Sequence, residues 1–176
     1  MTWAIGASTG CCMDRPILDV LDAIGEGGAI RGVELGTPPR HFDPWQQVQV
    51  RAVHERLRAR AIAPISIHAP FGGLLDLSDP NPHHRHAAIG GILTAATALR
   101  ELGGSIVVVH TTDVPRADQD IEQRLAHCAD ALSVLARACG HMAIRLAIES
   151  PLPHLIGGHP DEFAWILEKV GTGPGV

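Results

Sequence analysis

Short apolar runs bounded by Gly, Pro or Asp alternate along this chain with longer stretches in which apolar residues return every three or four places. Runs of the first kind read as strands, stretches of the second as helices packed on one face. The runs are TWAIGASTG, AIRGVELG ended by Gly36, AIAPISIH, SIVVVH and MAIRLAIES. SIVVVH has three adjacent valines, as expected of a strand covered on both faces. Between the runs, PILDVLDAIGEGG puts Pro16 in a first helical turn, with apolar residues at 17, 18, 21 and 24. DPWQQVQVRAVHERLRAR predicts a helix with Asp43 as N-cap and Pro44 at its first position. The polar loop LLDLSDPNPHHRH leads into the helical run AAIGGILTAATALRELG. A long helix from about 119 to 139 repeats apolar or cysteine positions at 121, 125, 128, 132, 135 and 139. HPDEFAWILEKVG predicts a last helix with Pro160 at N1 and two acidic residues where the helix dipole favours them. The tail TGPGV stands where a further strand would start.

Five strand–helix pairs in succession imply one α/β domain over 1–176, with a parallel sheet and helical crossovers. Two closures are open, a doubly wound sheet or a (β/α)8 TIM barrel. GASTG after the first strand is not G-x-G-x-x-G, so a dinucleotide site has little support. A closed barrel takes eight units and roughly 250 residues. As a barrel, the chain holds the first five units and leaves two sheet edges open. It is then either part of a longer product, or something else covers those edges.

Composition narrows the function classes. Aromatic residues make up 3% and tyrosine is absent, which disfavours a base-stacking surface. A net charge of −5, with thirteen arginines and one lysine but no basic run, argues against nucleic acid as a partner. No apolar run is long enough to span a membrane. Cys11, Cys12, Cys128 and Cys139 have neither a zinc-ribbon spacing nor a disulfide framework, and no secretory segment precedes them. They read as reduced, mostly packing residues of a cytoplasmic protein. Eleven histidines are more than expected and hint at metal or proton chemistry.

The ionisable residues that matter close strands: Glu34 in GVELG, His68 in ISIHAP, His110 in SIVVVHTTD and Glu149 in LAIESPL. Their spacings are each about one strand–helix unit. In a parallel sheet the carboxyl ends of the strands share one face, where these four side chains would converge. Two imidazoles and two carboxylates form a reasonable ligand set for one or two divalent ions. Glu149 is the sharpest case, because a carboxylate ending an apolar strand is costly to bury unless a metal or cation holds it. His83, His84 and His86 read as solvent-exposed residues at a helix start, and His54, His127 and His141 as solvent-facing. His154 and His159 are candidates for substrate contact, Trp45 and Trp165 read as packing residues on helices, and Trp3 is unassigned.

The order GVELG, HAPF, VVVH, AIES resembles the xylose-isomerase-like TIM-barrel superfamily, which holds sugar isomerases and epimerases and endonuclease IV. The resemblance covers the first five of eight strand–helix units. It implies Glu149 as a metal ligand and catalytic carboxylate. His68 and His110 would be metal ligands or substrate contacts, and Glu34 a wall residue toward substrate. The remaining ligands of that family lie on strands six to eight, beyond residue 176. Thr111-Thr112 follows His110, and Ser150-Pro151 follows Glu149, where the nuclease has Pro-Gly and Asn-Thr. The implied function is therefore a divalent-metal-dependent sugar or sugar-phosphate isomerase/epimerase. Such an enzyme moves a proton next to a carbonyl through a metal-stabilised enediolate. The cofactor is one divalent ion (Mn, Mg, Co or Zn), the partner a small sugar or sugar phosphate, with a homo-oligomer left open. The alternatives are an endonuclease IV-like zinc-dependent phosphodiester hydrolase and a truncated non-catalytic barrel.

Overall fold

The computed structural model describes residues 5–38, 40–116 and 120–171. Trp3 and the tail 172–176, with the further strand expected there, lie outside the described residues. Eleven elements follow in order: β1 (Ile5–Ser8), a 3-10 turn (Thr9–Cys12), α1 (Ile17–Gly27), β2 (Ile30–Gly36), α2 (Gln47–Ala59), β3 (Ala63–His68), α3 (Pro82–Leu102), β4 (Ile106–His110), α4 (Ile121–His141), β5 (Arg145–Glu149) and α5 (Pro160–Val170). The strands form one five-stranded parallel sheet in the order β1-β2-β3-β4-β5. Sequential order with helical crossovers is the pattern of a partial (β/α) barrel, not of a doubly wound sheet, whose strand order reverses.

Two compact units make up the chain, one of residues 1–69 and 94–107, the other of residues 70–93 and 108–176. In the first, Val33, Leu35 and Ile67 are wholly buried, and so are Leu21, Val53 and Leu57 of α1 and α2. Asp22 of α1 ties the two helices by pairing with Arg56 and, at 2.8 Å, with Arg60 of α2. The register of β2 on β3 runs Val33↔Pro64 and then Glu34↔Ser66, so Ile65 is the extra residue of a bulge. Its side chain lies over Gly32, where a Cβ would come within 2.2 Å of Ile65 Cδ1. Any larger residue at 32 would require the Ile65 side chain to shift.

In the second unit α4 and α5 pack together, and α4 also packs on β5. Leu132, Leu135, Cys139, Ile144, Leu146, Ile156 and Ile166 form the buried core there. Asp120 caps α4, accepting from the Gln123 N–H at 3.1 Å, and Pro160 opens α5 as expected.

Three helix starts differ from the expectations. Asp43 does not cap α2; its carboxylate accepts from the Trp45 N–H at 3.0 Å and from Gln46 Nε2 at 2.9 Å, closing a turn. The helix begins four residues later, at Gln47. Pro16 stands just before α1 rather than inside its first turn. PHHRH is not loop but the start of α3, with Pro82 first and Asn81 Oδ1 accepting from the His83 N–H at 2.9 Å. Trp45 is 51% exposed in a turn, not packed on a helix. Trp165 does lie on α5, with Lys169 Nζ 5.5 Å from its ring centre. His54 and His127 are half-buried rather than solvent-facing, while His141 is exposed. Cys128 and Cys139 are buried packing residues as expected, whereas Cys11 is exposed and Cys12 half-exposed; all four are free thiols.

Candidate metal and substrate site

Strand periodicity and register place the first unit's candidates. Ser8, Glu34 and Ser66 stand opposite one another on β1, β2 and β3. Residues in register across parallel strands present their side chains to the same face. Ser8 Oγ donates to Glu34 Oε1 and Ser66 Oγ to Glu34 Oε2, each at 2.9 Å. Glu34 is thus held by a hydroxyl on each oxygen, in a fixed plane. It lies two residues before the end of β2, not at its last position.

His68 closes β3. Its Nδ1 lies 3.1 Å from the Ala69 carbonyl oxygen, which can only accept. The ring proton therefore sits on Nδ1, and Nε2 carries the lone pair a cation would use. The Thr37 hydroxyl donates to the His68 carbonyl at 2.8 Å, fixing the backbone at the strand end.

His41, which the sequence did not single out, is wholly buried in the same unit. Its Nδ1 lies 2.6 Å from the Arg15 carbonyl and its Nε2 3.0 Å from Thr9 Oγ1. Thr9 Oγ1 in turn accepts from the Gly36 N–H at 2.9 Å. Both ring nitrogens are engaged in bracing the ends of β1 and β2, so His41 is a structural residue.

The second unit brings His110 and Glu149 together. They are the last residues of β4 and β5, and His110 Nε2 lies 3.4 Å from Glu149 Oε2. Glu149 is half exposed, which lessens the cost of its charge but leaves it reachable by a ligand. Phe71 stacks on the His110 imidazole with ring centres 4.1 Å apart, holding the plane of the ring.

The loops that follow these strands are stitched to each other. Arg116 donates twice to Glu162, at 2.7 and 2.6 Å, and Glu162 Oε2 also accepts from the Gly157 N–H at 2.9 Å. The Arg116 N–H reaches the His154 carbonyl at 3.1 Å, and the Ile156 N–H the Val114 carbonyl at 3.0 Å. His154 thus serves this seam through its backbone. Deeper in the unit, Asp76 accepts from Arg124 Nη1 at 3.0 Å and from the Ser78 N–H at 2.8 Å, and Ser78 Oγ lies 3.2 Å from Thr112 Oγ1. Thr112 is two residues past His110, so this buried network braces the loop that leaves β4. Neither Glu162 nor the Asp76–Arg124 pair was expected from the sequence, because their partners lie 46 and 48 residues away. At the start of α3, His83 and His86 are exposed, and His84 pairs with Asp79 at 3.0 Å.

The donor set fits a divalent ion. In the first unit His68 carries its ring proton on Nδ1, and in the second His110 turns Nε2 toward the Glu149 carboxylate; imidazole nitrogen and carboxylate oxygen are both donors such an ion takes.

Solved structures share the fold at low sequence identity. A D-tagatose 3-epimerase-like protein matches with a TM-score of 0.81 at 18% identity, over 94% of this chain and 60% of its own. D-psicose 3-epimerase from Clostridium cellulolyticum H10 matches with a TM-score of 0.75 at 13% identity, over 94% and 59%. The zinc-bound IolI protein matches with a TM-score of 0.76 at 14% identity, over 96% and 59%. The chain therefore spans about 60% of the length of these structures. No curated protein matches it in sequence. Among the described residues, no helix is long and apolar enough to cross a membrane. The family model for xylose isomerase-like TIM barrels matches residues 21–176. Sheet order, strand ends and that match agree, and the chain belongs to the xylose isomerase-like TIM-barrel family.

Proposed function

We propose that this chain carries part of the active site of a divalent-metal-dependent isomerase or epimerase acting on a small sugar or sugar phosphate. The observation that carries the reading is the approach of His110 Nε2 to Glu149 Oε2, 3.4 Å, at the ends of β4 and β5. His110 and Glu149 each offer one ligand atom to an ion, and His68, the last residue of β3, is a third candidate ligand. Mn, Mg, Co or Zn suits such a nitrogen and oxygen set. A divalent ion bound there would polarise a substrate carbonyl.

The chain's own groups supply the rest. Glu149, a half-exposed carboxylate, takes a proton from the carbon next to the carbonyl or returns it. His110, its plane held by Phe71, orients Glu149 and a substrate oxygen. Glu34 accepts one serine hydroxyl on each oxygen, which leaves each oxygen a further lone pair for a sugar hydroxyl. His68 contacts the substrate or the ion through Nε2. The names of the structural relatives, which include an L-ribulose 3-epimerase, support a sugar substrate.

Calorimetric titration with Mn tests the site apart from turnover. Glu149→Gln and His110→Asn are each expected to weaken binding at least about 10-fold, the lower end of what loss of a mere supporting partner costs. Unchanged Mn affinity in Glu149→Gln would refute the metal site. Incubation with ketoses in deuterated water tests the reaction. Deuterium entering at the carbon next to the carbonyl is expected, and its absence from every ketose and ketose phosphate tried would remove the isomerase reading.

A further inference from the structure

Cys11 and Cys12 lie at the end of the 3-10 turn that follows β1. Their Sγ atoms are 3.7 Å apart, and the Cys11 thiol donates to the Ser8 carbonyl at 3.1 Å. The turn is pinned on both sides, by the Gly10 N–H on Ser8 Oγ and by the Arg15 N–H on the Cys12 carbonyl. Cys11 and Cys12 line a surface cavity of about 310 Å³ whose wall also includes Val20, Ile24, Ile30 and Arg15, whose charge acts on Cys12. Cys11 is exposed there.

We propose that this pair is a reversible thiol–disulfide exchange site for low-molecular-weight disulfides that bear carboxylate groups. Apart from Ser8, the two cysteines and Arg15 the cavity lining is apolar, and Arg15 is its one charged residue, so a small reagent with a negative group is the ligand it matches. Cys11 reacts first because it is the exposed thiol. The hydrogen bond with Cys11, and then burial, push the Cys12 thiol up from its ordinary range, so Cys12 keeps its proton until the second step.

In the first step the Cys11 thiolate attacks one sulfur of the small disulfide. A Cys11–sulfur bond forms and the reagent's S–S bond breaks. Its other half leaves as a thiolate and takes up the proton that Cys11 gave. In the second step Cys12 loses its proton and attacks Cys11 Sγ, releasing the bound half as a second thiol. Two protein thiols are oxidised by two electrons, and one disulfide is reduced to two thiols. Adjacent Cα atoms stand about 3.8 Å apart across a trans peptide, short of the usual disulfide range of about 4.4–6.8 Å. The bond between neighbouring residues is therefore strained and readily reduced, which makes the site a reversible one. Cys128 and Cys139 offer no competition: both are buried, Cys139 is pushed up to about 11 by that burial, and Cys128 is pushed higher still.

The test is exposure of the full chain to oxidised glutathione, read by intact mass and peptide mapping, independent of any activity at the strand ends. The wild-type chain should lose two hydrogens in mass with the new bond between Cys11 and Cys12. Cys12→Ser should keep a glutathione adduct on Cys11, and Cys11→Ser should react far more slowly than wild type. Arg15→Gln should slow oxidised glutathione several-fold and leave the uncharged 2-hydroxyethyl disulfide unaffected. Reaction at Cys128 or Cys139 first, or Cys11→Ser reacting at the wild-type rate, overturns the site. Equal slowing of both reagents by Arg15→Gln overturns the assignment of an anionic ligand.

Discussion

Arg124→Met tests whether the loop behind His110 is held by a buried charge pair. Asp76 is 3% exposed and Arg124 12%, with Arg124 Nη1 3.0 Å from Asp76 Oδ2. At an effective dielectric of about 20, that separation corresponds to roughly 5.5 kcal/mol of direct attraction, and the cost of burying both ions offsets much of it. Removing one partner is different, because the remaining charge stays in its site without compensation. In Arg124→Met the Asp76 carboxylate would keep the Ser78 N–H and hydroxyl but no cation. The expected loss is about 3–5 kcal/mol. With an m-value of about 2 kcal/mol/M, the urea midpoint should fall by roughly 1.5–2.5 M, with the slope unchanged. Asp76→Leu together with Arg124→Met removes both ions and should recover most of that loss, since an apolar pair leaves nothing uncompensated. A single variant that loses less than about 1 kcal/mol would place this pair with ordinary surface ion pairs, and the bracing role of Asp76 and Arg124 would fall with it.

Other outcomes follow from the same coordinates. Gly32→Ala puts a Cβ 2.2 Å from Ile65 Cδ1 and should cost about 1–3 kcal/mol in chemical unfolding; Ile65→Ala added to it should restore most of the loss, and no restoration would mean the bulge is not what Gly32 serves. Asn81→Ala removes the side-chain acceptor of the His83 N–H at the start of α3 and should cost about 1 kcal/mol in thermal unfolding. For Asp79, burial works against ionisation, but the hydrogen bonds from His84 and the Asn81 N–H and the charges of His84 and Arg124 outweigh it, so its carboxyl titrates below the ordinary range. For Asp22, burial is likewise outweighed, there by Arg60 and Arg56. Stability from a depressed carboxyl is complete above the unfolded value, near about 4, and is lost as pH falls through the folded one. Urea midpoints should therefore drop on acidification below about pH 4, and Asp79→Asn should flatten that limb.

Strand ends were legible because each is a local event: a run of apolar residues stops at one ionisable residue, and period-2 alternation carries it to a known face. His68, His110 and Glu149 close β3, β4 and β5 as read from ISIHAP, VVVH and LAIES. Helix starts were less legible because two signals compete within a few residues. Asp43-Pro44 has the chemistry of a cap and first turn, yet the Asp43 carboxylate is used in a tighter turn with Trp45 and Gln46, and α2 begins at Gln47. In NPHHRH the polar composition argued for loop, while Asn81-Pro82 is the stronger signal and opens α3. Long-range polar partners left no local trace at all. Glu34 read as a strand-end acid, but nothing in GVELG says that Ser8 and Ser66 hold it, because register across three strands decides that. Glu162 read as a dipole-matched residue of a first helical turn, yet its carboxylate is bound by Arg116 and the Gly157 N–H. The consequence for the site is specific. The groups proposed to meet metal or substrate could be named from their place at strand ends, whereas the groups that hold them are remote in the chain: Ser8 and Ser66 on neighbouring strands, 26 and 32 residues from Glu34, and Asp76 and Arg124 on a loop and a helix start. A variant scan guided by sequence alone would therefore test ligands and miss Ser8, Ser66, Asp76 and Arg124. Substitutions at Ser8 and Ser66 should lower turnover by misplacing Glu34 while leaving Mn affinity close to wild type, whereas those at Asp76 and Arg124, by misplacing His110, should weaken Mn binding as well.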